Sequence, residues 1–240
     1  MKAYAQTDCG RRPINEDAYY LPREGEAFCA IADGMGGHNA GEVASSLACE
    51  VFSEDLRGIG RIDECAIRQA VLRANQKVYD RSRRIIEECG MGTTFTALAE
   101  CEGSLWIAHV GDSRAYLIRG GEATRLTVDH TLVEEMVMRG IITEREAKYH
   151  PRRNLITRAL GTDSELLVDT TRIEIESGDV VFLCTDGLSN YVEKGELLEI
   201  TNRADLTWQE KLDALVTRAL RAGSTDNVTG VYAVFEEAAQ

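Results

Sequence analysis

Nowhere does the chain contain about 18 consecutive apolar residues, and its opening MKAYAQTDCGRR lacks the apolar core of an export signal. The expectation is therefore a cytoplasmic protein without a membrane partner. Positive charge is also short. Lys and Arg total 27 against 40 Asp and Glu, a net charge of -13, so the whole-molecule field repels polyanions and nucleic acid is excluded as a partner. Seven cysteines are present, but they form no CxxC pair, are odd in number and mostly sit in apolar runs such as Ala27 to Ile31. They read as reduced core thiols. No repeat or low-complexity linker divides the chain.

What is present suits one domain. With 240 residues and 44% hydrophobic content the chain can bury one large core and is short for two, so residues 1–240 are read as a single unit. A strand is expected at Lys2 to Asp8, and Ala27 to Ala32 reads as a buried strand closed by the turn dipeptide Asp33-Gly34. Asn39 and Glu42 make an approximate capping box for a helix whose apolar face is Val43, Leu47, Val51 and Phe52. A second helix starts near Asp63, with Ile67, Ala70, Val71, Ala74 and Val78 as its stripe. Strands follow at Thr93 to Cys101, Leu105 to Val110 and Arg114 to Arg119, the last turned by Gly120-Gly121 into Glu122 to Thr127. From 129 to 161, Thr131/Glu134 and Thr143/Glu146 signal two short helices ahead of the basic Pro151-Arg152-Arg153, which predicts a surface lid. Strands at Leu166 to Ile175 and Asp179 to Cys184, a helix opened by Thr207/Glu210 and a strand at Val228 to Phe235 complete the chain. Strands in runs and helices in pairs, without βαβ alternation, predict an α+β fold: a four-layer α-β-β-α sandwich with two central antiparallel sheets.

Five aspartates end or follow these strand-like runs: Asp17, Asp33, Asp112, Asp186 and Asp226. Turn chemistry explains any one of them. It explains the set less well, because Asp33 and Asp186 both close apolar strand cores, and neighbouring strands would bring their carboxylates to one sheet rim. Clustered carboxylates repel unless cations sit between them. A donor set of oxygens, without His or Cys, selects Mg²⁺ or Mn²⁺. Two such ions about 4 Å apart can share a water, lower its pKa and aim it at phosphorus in line with the leaving oxygen.

The motifs Arg12-Pro-Ile-Asn-Glu-Asp17, Ala32-Asp-Gly-Met-Gly-Gly-His38, Gly41-Glu-Val-Ala-Ser45, Met91-Gly-Thr-Thr94, Val110-Gly-Asp-Ser-Arg114, Cys184-Thr-Asp-Gly-Leu188 and Ser224-Thr-Asp-Asn-Val228 stand in one order along the chain. In that order they resemble bacterial-type members of the type 2C, metal-dependent serine/threonine protein phosphatases. The resemblance implies hydrolysis of phosphoserine and phosphothreonine in proteins by a metal-bridging hydroxide, with two catalytic Mn²⁺ or Mg²⁺ ions and a third, weaker one. By it, Asp33 bridges the two catalytic ions, Asp186 and Asp226 complete the first, Gly34 gives its carbonyl to the second, and Asp17 supports the second directly or through water. Asp112, with Asp186, holds the third. Arg12 is the phosphate-binding residue. The chain is one residue short of the family spacing between Gly10 and Arg12, and counting back from Asn15 favours Arg12 over Arg11. Met35 stands where eukaryotic relatives have a histidine general acid. His38 is nearby, and a structural loop role is favoured for it over proton donation. His109 reads as a satisfied core residue. His130, His150, Arg152 and Arg153 read by default as a solvated patch, with contact to a phosphopeptide as the alternative. A serine/threonine kinase or its substrates are the expected partners.

Two rival readings fit the sequence less well. A dinucleotide-binding reading of Gly34 to Gly41 fails on glycine spacing and on the missing βαβ alternation. A non-catalytic scaffold of the same fold has little need for the whole aspartate set together with Arg12.

Overall fold

The computed structural model describes residues 1–36 and 40–235. Its elements run β1 (Lys2–Asp8), β2 (Asp17–Tyr20), β3 (Phe28–Met35), α1 (Gly41–Leu56), α2 (Glu64–Arg84), β4 (Gly92–Thr93), β5 (Phe95–Cys101), β6 (Ser104–Val110), β7 (Arg114–Arg119), β8 (Glu122–Arg125), α3 (Leu132–Met138), α4 (Glu144–Tyr149), β9 (Asp169–Glu174), β10 (Val180–Cys184), α5 (Asp186–Ser189), α6 (Lys194–Thr201), α7 (Trp208–Arg221) and β11 (Val228–Val234). One sheet has the order β1-β11-β10-β7-β8, the other β2-β3-β5-β6-β9 with β4 added to β3. Every pairing within them is antiparallel.

Three apolar layers hold this arrangement. Ile31, Leu98, Leu105, Ile107, Val181, Leu183 and Val231 meet between the sheets. Phe28, Phe52, Ile67, Val71, Val78 and Phe95 lie between α1, α2 and the second sheet. Phe182, Leu212, Leu215, Val216 and Tyr232 lie between α7 and the first. Because β10 and β11 are covered on both faces, all their residues are buried, and β10 reads as a continuous apolar run instead of an alternating one. Each fully buried large side chain contributes about 1.5–3 kcal/mol relative to exposure. The expected α-β-β-α sandwich is what forms.

Local signals account for most element ends. Asp63 caps α2 by accepting from the Ala66 N–H, and Thr207 and Glu210 make a reciprocal capping box for α7. Gly120 and Gly121 both have positive φ, 58° and 82°, which a two-residue hairpin turn demands. Several expectations need correction. Asp33-Gly34 is no turn: β3 continues through both residues to Met35, paired with β2 and β4. The strand expected from Thr93 is broken at Thr94, whose side chain serves Asp33. Residue 166 to 168 precedes β9, and Leu126 and Thr127 lie beyond β8. The Asn39 cap falls outside the described residues, and Ala40, at the start of α1, makes no side-chain cap. Of the cysteines, Cys29, Cys49 and Cys184 are buried, whereas Cys65 and Cys89 are exposed.

Candidate active site

All five aspartates come to one end of the sandwich, for a reason of strand direction. Asp33 lies near the end of β3, and Asp112 follows β6, which runs the same way because β5 lies antiparallel between them. Asp17 opens β2, antiparallel to β3, and is the Cα partner of Asp33. In the other sheet Asp186 follows β10, and Asp226 precedes β11, its antiparallel neighbour. Asp33 and Asp186, which would share one sheet rim if their strands were neighbours, belong to different sheets and meet across the sandwich.

The two sheets are laced together at this end by hydroxyls. Asp17 Oδ2 accepts from Thr229 Oγ1 at 2.6 Å and from Thr185 Oγ1 at 3.0 Å, both on the opposite sheet. The Asp33 N–H donates to Thr94 Oγ1 at 3.0 Å, and the Asp33 carbonyl accepts from Thr93 Oγ1 and the Thr94 N–H, both at 2.9 Å. Ser113 and Thr94 share a hydroxyl hydrogen bond of 2.8 Å, which ties the Asp112 loop to the Asp33 strand. Asn190 Nδ2 donates to Asp186 Oδ2 at 3.2 Å. Gly34 is packed so closely that a Cβ would stand 2.2 Å from the Gly41 carbonyl oxygen and 2.5 Å from that of Glu16. Only glycine fits there.

Arg12 reaches the cluster from the loop between β1 and β2, its Nη2 donating to Asp226 Oδ2 at 2.8 Å. The contact with Asp226 raises its pKa further. Asn227 pins that loop: its Nδ2 donates to the Cys9 and Ile14 carbonyls, each at 3.0 Å, and its Oδ1 accepts from the Glu16 N–H at 2.8 Å. Asn227, Thr93, Thr185 and Thr229 were not singled out from sequence as supports. Three of them, Thr93, Thr185 and Asn227, lie inside the quoted motifs, and the last two stand beside an aspartate, which was the available signal. Glu16 was also missed. Its carboxyl pKa is raised by burial and then by Glu42, and it lies against Gly41.

The electrostatics are those of a site that wants cations. Burial pushes the Asp17 carboxyl up to about 7 and the Asp112 carboxyl up to about 7, Asp112 being raised further by Asp186. Asp33 is raised by burial and then by Asp17, Asp186, Asp112 and Asp226, and Asp186 by burial and then by Asp226. One oxygen each of Asp17 and Asp112 is buried without a hydrogen-bond partner. Orphaned carboxylate oxygens in an all-oxygen set fit a hard divalent ion. Among the described residues no group of three or more His, Cys, Asp or Glu side chains stands close enough together to hold a metal ion by itself. A cavity of about 470 Å³ lies away from the aspartates, lined among others by Arg68, His109, Val128 and Asp169. The cluster itself is an open rim, with the Arg12 and Asp226 side chains 52% and 40% exposed. His109 is 2% exposed and bonded through both ring nitrogens, to Thr96 and to the Val128 carbonyl, as a core residue should be. His38 falls outside the described residues.

A four-layer sandwich with carboxylates from both sheets converging at one end defines a class: a scaffold built around an acidic site for divalent cations. The sequence pattern of the protein phosphatase 2C family matches residues 11–228, and the chain belongs to that family. It is 35% identical to the serine/threonine phosphatase stp of Listeria monocytogenes, over 95% of this chain and 94% of that protein. It is 41% identical to the serine/threonine protein phosphatase PstP of Mycobacterium tuberculosis, over 97% of this chain and 45% of that longer protein. Among solved structures it resembles the catalytic domain of PstP in complex with two manganese ions, with a TM-score of 0.86 and 37% identity over 96% of each chain.

Proposed function

We propose that this protein hydrolyses phosphoserine and phosphothreonine esters in proteins and requires Mn²⁺ or Mg²⁺. The observation that carries the reading is the convergence of Asp17, Asp33, Asp112, Asp186 and Asp226, with orphaned buried oxygens, beside the half-exposed guanidinium of Arg12. In this reading Asp33, Asp186, Asp226 and the Gly34 carbonyl would hold the two ions, and Asp17 would support them directly or through water. Asp112 and Asp186 would hold a third, weaker ion. When bound, the ions supply a nucleophilic water of lowered pKa and neutralise charge on the phosphoryl oxygens.

The chain's own residues do the rest. Thr185 and Thr229 fix the Asp17 carboxylate, and Thr93 and Thr94 fix the backbone of Asp33, so little reorganisation accompanies reaction. Arg12, released from Asp226, can grip two phosphoryl oxygens and orient phosphorus. The open rim suits a phosphorylated side chain on a protein surface. The 129–161 segment, which exposes Met138, Ile141, Tyr149 and Leu155, serves as the lid that meets the protein part of the substrate. A serine/threonine kinase or its substrates are the partners this chemistry would oppose. The printed names of the stp and PstP relatives support the same reading.

The test is phosphate release from a phosphothreonine peptide by EDTA-stripped protein titrated with Mn²⁺, for wild type and Asp186→Ala. Metal-dependent turnover lost in the variant is expected. EDTA-resistant turnover, or an unaffected Asp186→Ala enzyme, would refute the reading, and a wild type that binds Mn²⁺ without turnover would favour a binding scaffold. For Arg12→Ala, a net loss of about 1.5–3 kcal/mol, the usual worth of a charged hydrogen bond, predicts a kcat/KM lowered by roughly 10- to 100-fold, mainly through KM. Steady-state kinetics on the same peptide checks it.

A further inference from the structure

Both stems of the 129–161 segment are sewn to strand ends that carry site aspartates. At the C-terminal stem, Leu160 and Thr93 exchange backbone hydrogen bonds of 2.9 and 3.0 Å, and Thr93 in turn binds the Asp33 carbonyl. At the N-terminal stem the link is His130. Its backbone N–H donates to the Gly111 carbonyl at 2.7 Å, and its ring Nδ1 accepts from the Gly111 N–H at 3.0 Å. One residue thus holds both polar backbone atoms of the residue preceding Asp112. Gly111, at φ 110°, is wedged on its other side, where a Cβ would stand 2.5 Å from the Cβ of Thr94.

The ring is held from outside as well. Because Nδ1 accepts, the proton lies on Nε2, which donates to Asp169 Oδ2 at 3.2 Å. Arg158, from the lid's C-terminal stem, donates to Asp169 Oδ1 at 2.9 Å, so both oxygens of that carboxylate are engaged. The His130 carbonyl accepts from the Thr157 N–H at 2.8 Å, and its ring, only 4% exposed, packs on His109 at 4.8 Å. Gly111 is therefore joined through His130 to Asp169 and to two residues of the returning lid stem.

We propose that His130 is a positioning residue for the Asp112 loop, with Asp169 fixing its ring, and that through it the lid stems set the affinity of the ion held by Asp112 and Asp186. This rests on the reading of Asp112 as an ion ligand. A carboxylate on a loop with one residue clamped on both backbone atoms keeps its aim; without the clamp, the loop must be ordered at the expense of ion binding.

The experiment is calorimetric titration of metal-stripped protein with Mn²⁺, resolving the tight events from the weak one. Asp112→Asn is expected to abolish the weak event and spare the tight ones. His130→Ala is expected to weaken it by about 10-fold or more, the usual effect of losing a partner behind a ligand, while the tight events stay within about twofold. His130→Asn, whose side-chain oxygen offers Gly111 an acceptor where Nδ1 was, should recover most of that loss. A His130→Ala protein whose weak event is unchanged, or whose events all weaken alike, overturns the coupling. Should that variant not fold, Asp169→Asn decides at a half-exposed position: a weaker last event is expected, and an unchanged one overturns the role of His130 equally. An Asp112→Asn isotherm identical to wild type would instead remove Asp112 from the ligand set, a separate failure.

Discussion

Replacing Asp33 by asparagine is expected to lower phosphate release from a phosphothreonine peptide by at least about 10³-fold at saturating Mn²⁺, and to raise the melting temperature of the metal-free protein. The backbone geometry survives the change, because the contacts to Thr93 and Thr94 are made by the Asp33 N–H and carbonyl and not by its carboxylate. What disappears is the charge that four other aspartates surround. Losing one metal ligand forfeits several kcal/mol of charge stabilisation, and each ~1.4 kcal/mol is tenfold in rate. The stability gain follows from the same charge: without cations the carboxylate is repelled by Asp17, Asp186, Asp112 and Asp226 in a recessed place, and an amide is not. Peptide turnover within tenfold of wild type would remove Asp33 from the centre of the site.

The layered fold was legible because its helices and strands differ in period. The stripe Ile67, Ala70, Val71, Ala74 and Val78 marks α2, and the uninterrupted run Val180 to Cys184 marks a strand covered on both sides. The short elements escaped. β2 has four residues with no alternation of burial, and β4 has two, so neither carries a periodic signal; their pairing with β3 is tertiary. α5 is four residues long and begins at Asp186 itself, where Asp-Gly argues for a turn. In β3 the Asp33-Gly34 pair reads as a stop because the usual role of those residues is local. Here glycine is required by the Gly41 and Glu16 carbonyls pressing on it, which only the folded chain can reveal.

The aspartates were legible as a set and not as a geometry. Their placement after or before strands announces one end of a sheet, but which sheet depends on strand order, and no local signal distinguishes neighbours within a sheet from partners across a sandwich. The motif order supplied what composition could not. The same limit hid the surroundings of His130: a histidine after Asp129 looks like surface until Gly111, 19 residues away in sequence, is folded against it.

Metal binding is expected to stabilise the protein far more at pH 8 than at pH 5. In the metal-free state the folded pKa values of Asp17 and Asp112 stand at about 7, above the ordinary 3.8 of an unfolded aspartate, so the folded chain holds protons that the unfolded chain releases. The stability they contribute is fully present below about pH 3.8 and is lost as pH rises through about 7. Asp33 and Asp186 act in the same direction. His109 acts in the opposite one: burial lowers its pKa to about 4, so its contribution is present above the unfolded value of 6.5 and lost as pH falls towards 4. Comparing melting temperatures with and without Mn²⁺ at each pH separates the aspartates from His109, which is buried and bonded to Thr96 and the Val128 carbonyl and to none of them. At pH 5 an ion must displace protons from the carboxylates; at pH 8 it relieves repulsion already present. With each kcal/mol worth about 2–4 °C in a chain of this size, the Mn²⁺-induced rise should be greater at pH 8 by about 5 °C or more. Asp17→Asn should shrink that difference, because one of the titrating oxygens is gone. A Mn²⁺-induced rise independent of pH would mean that the carboxylates are already ionised in the metal-free protein at pH 5, and that the orphaned oxygens of Asp17 and Asp112 find partners other than protons or cations.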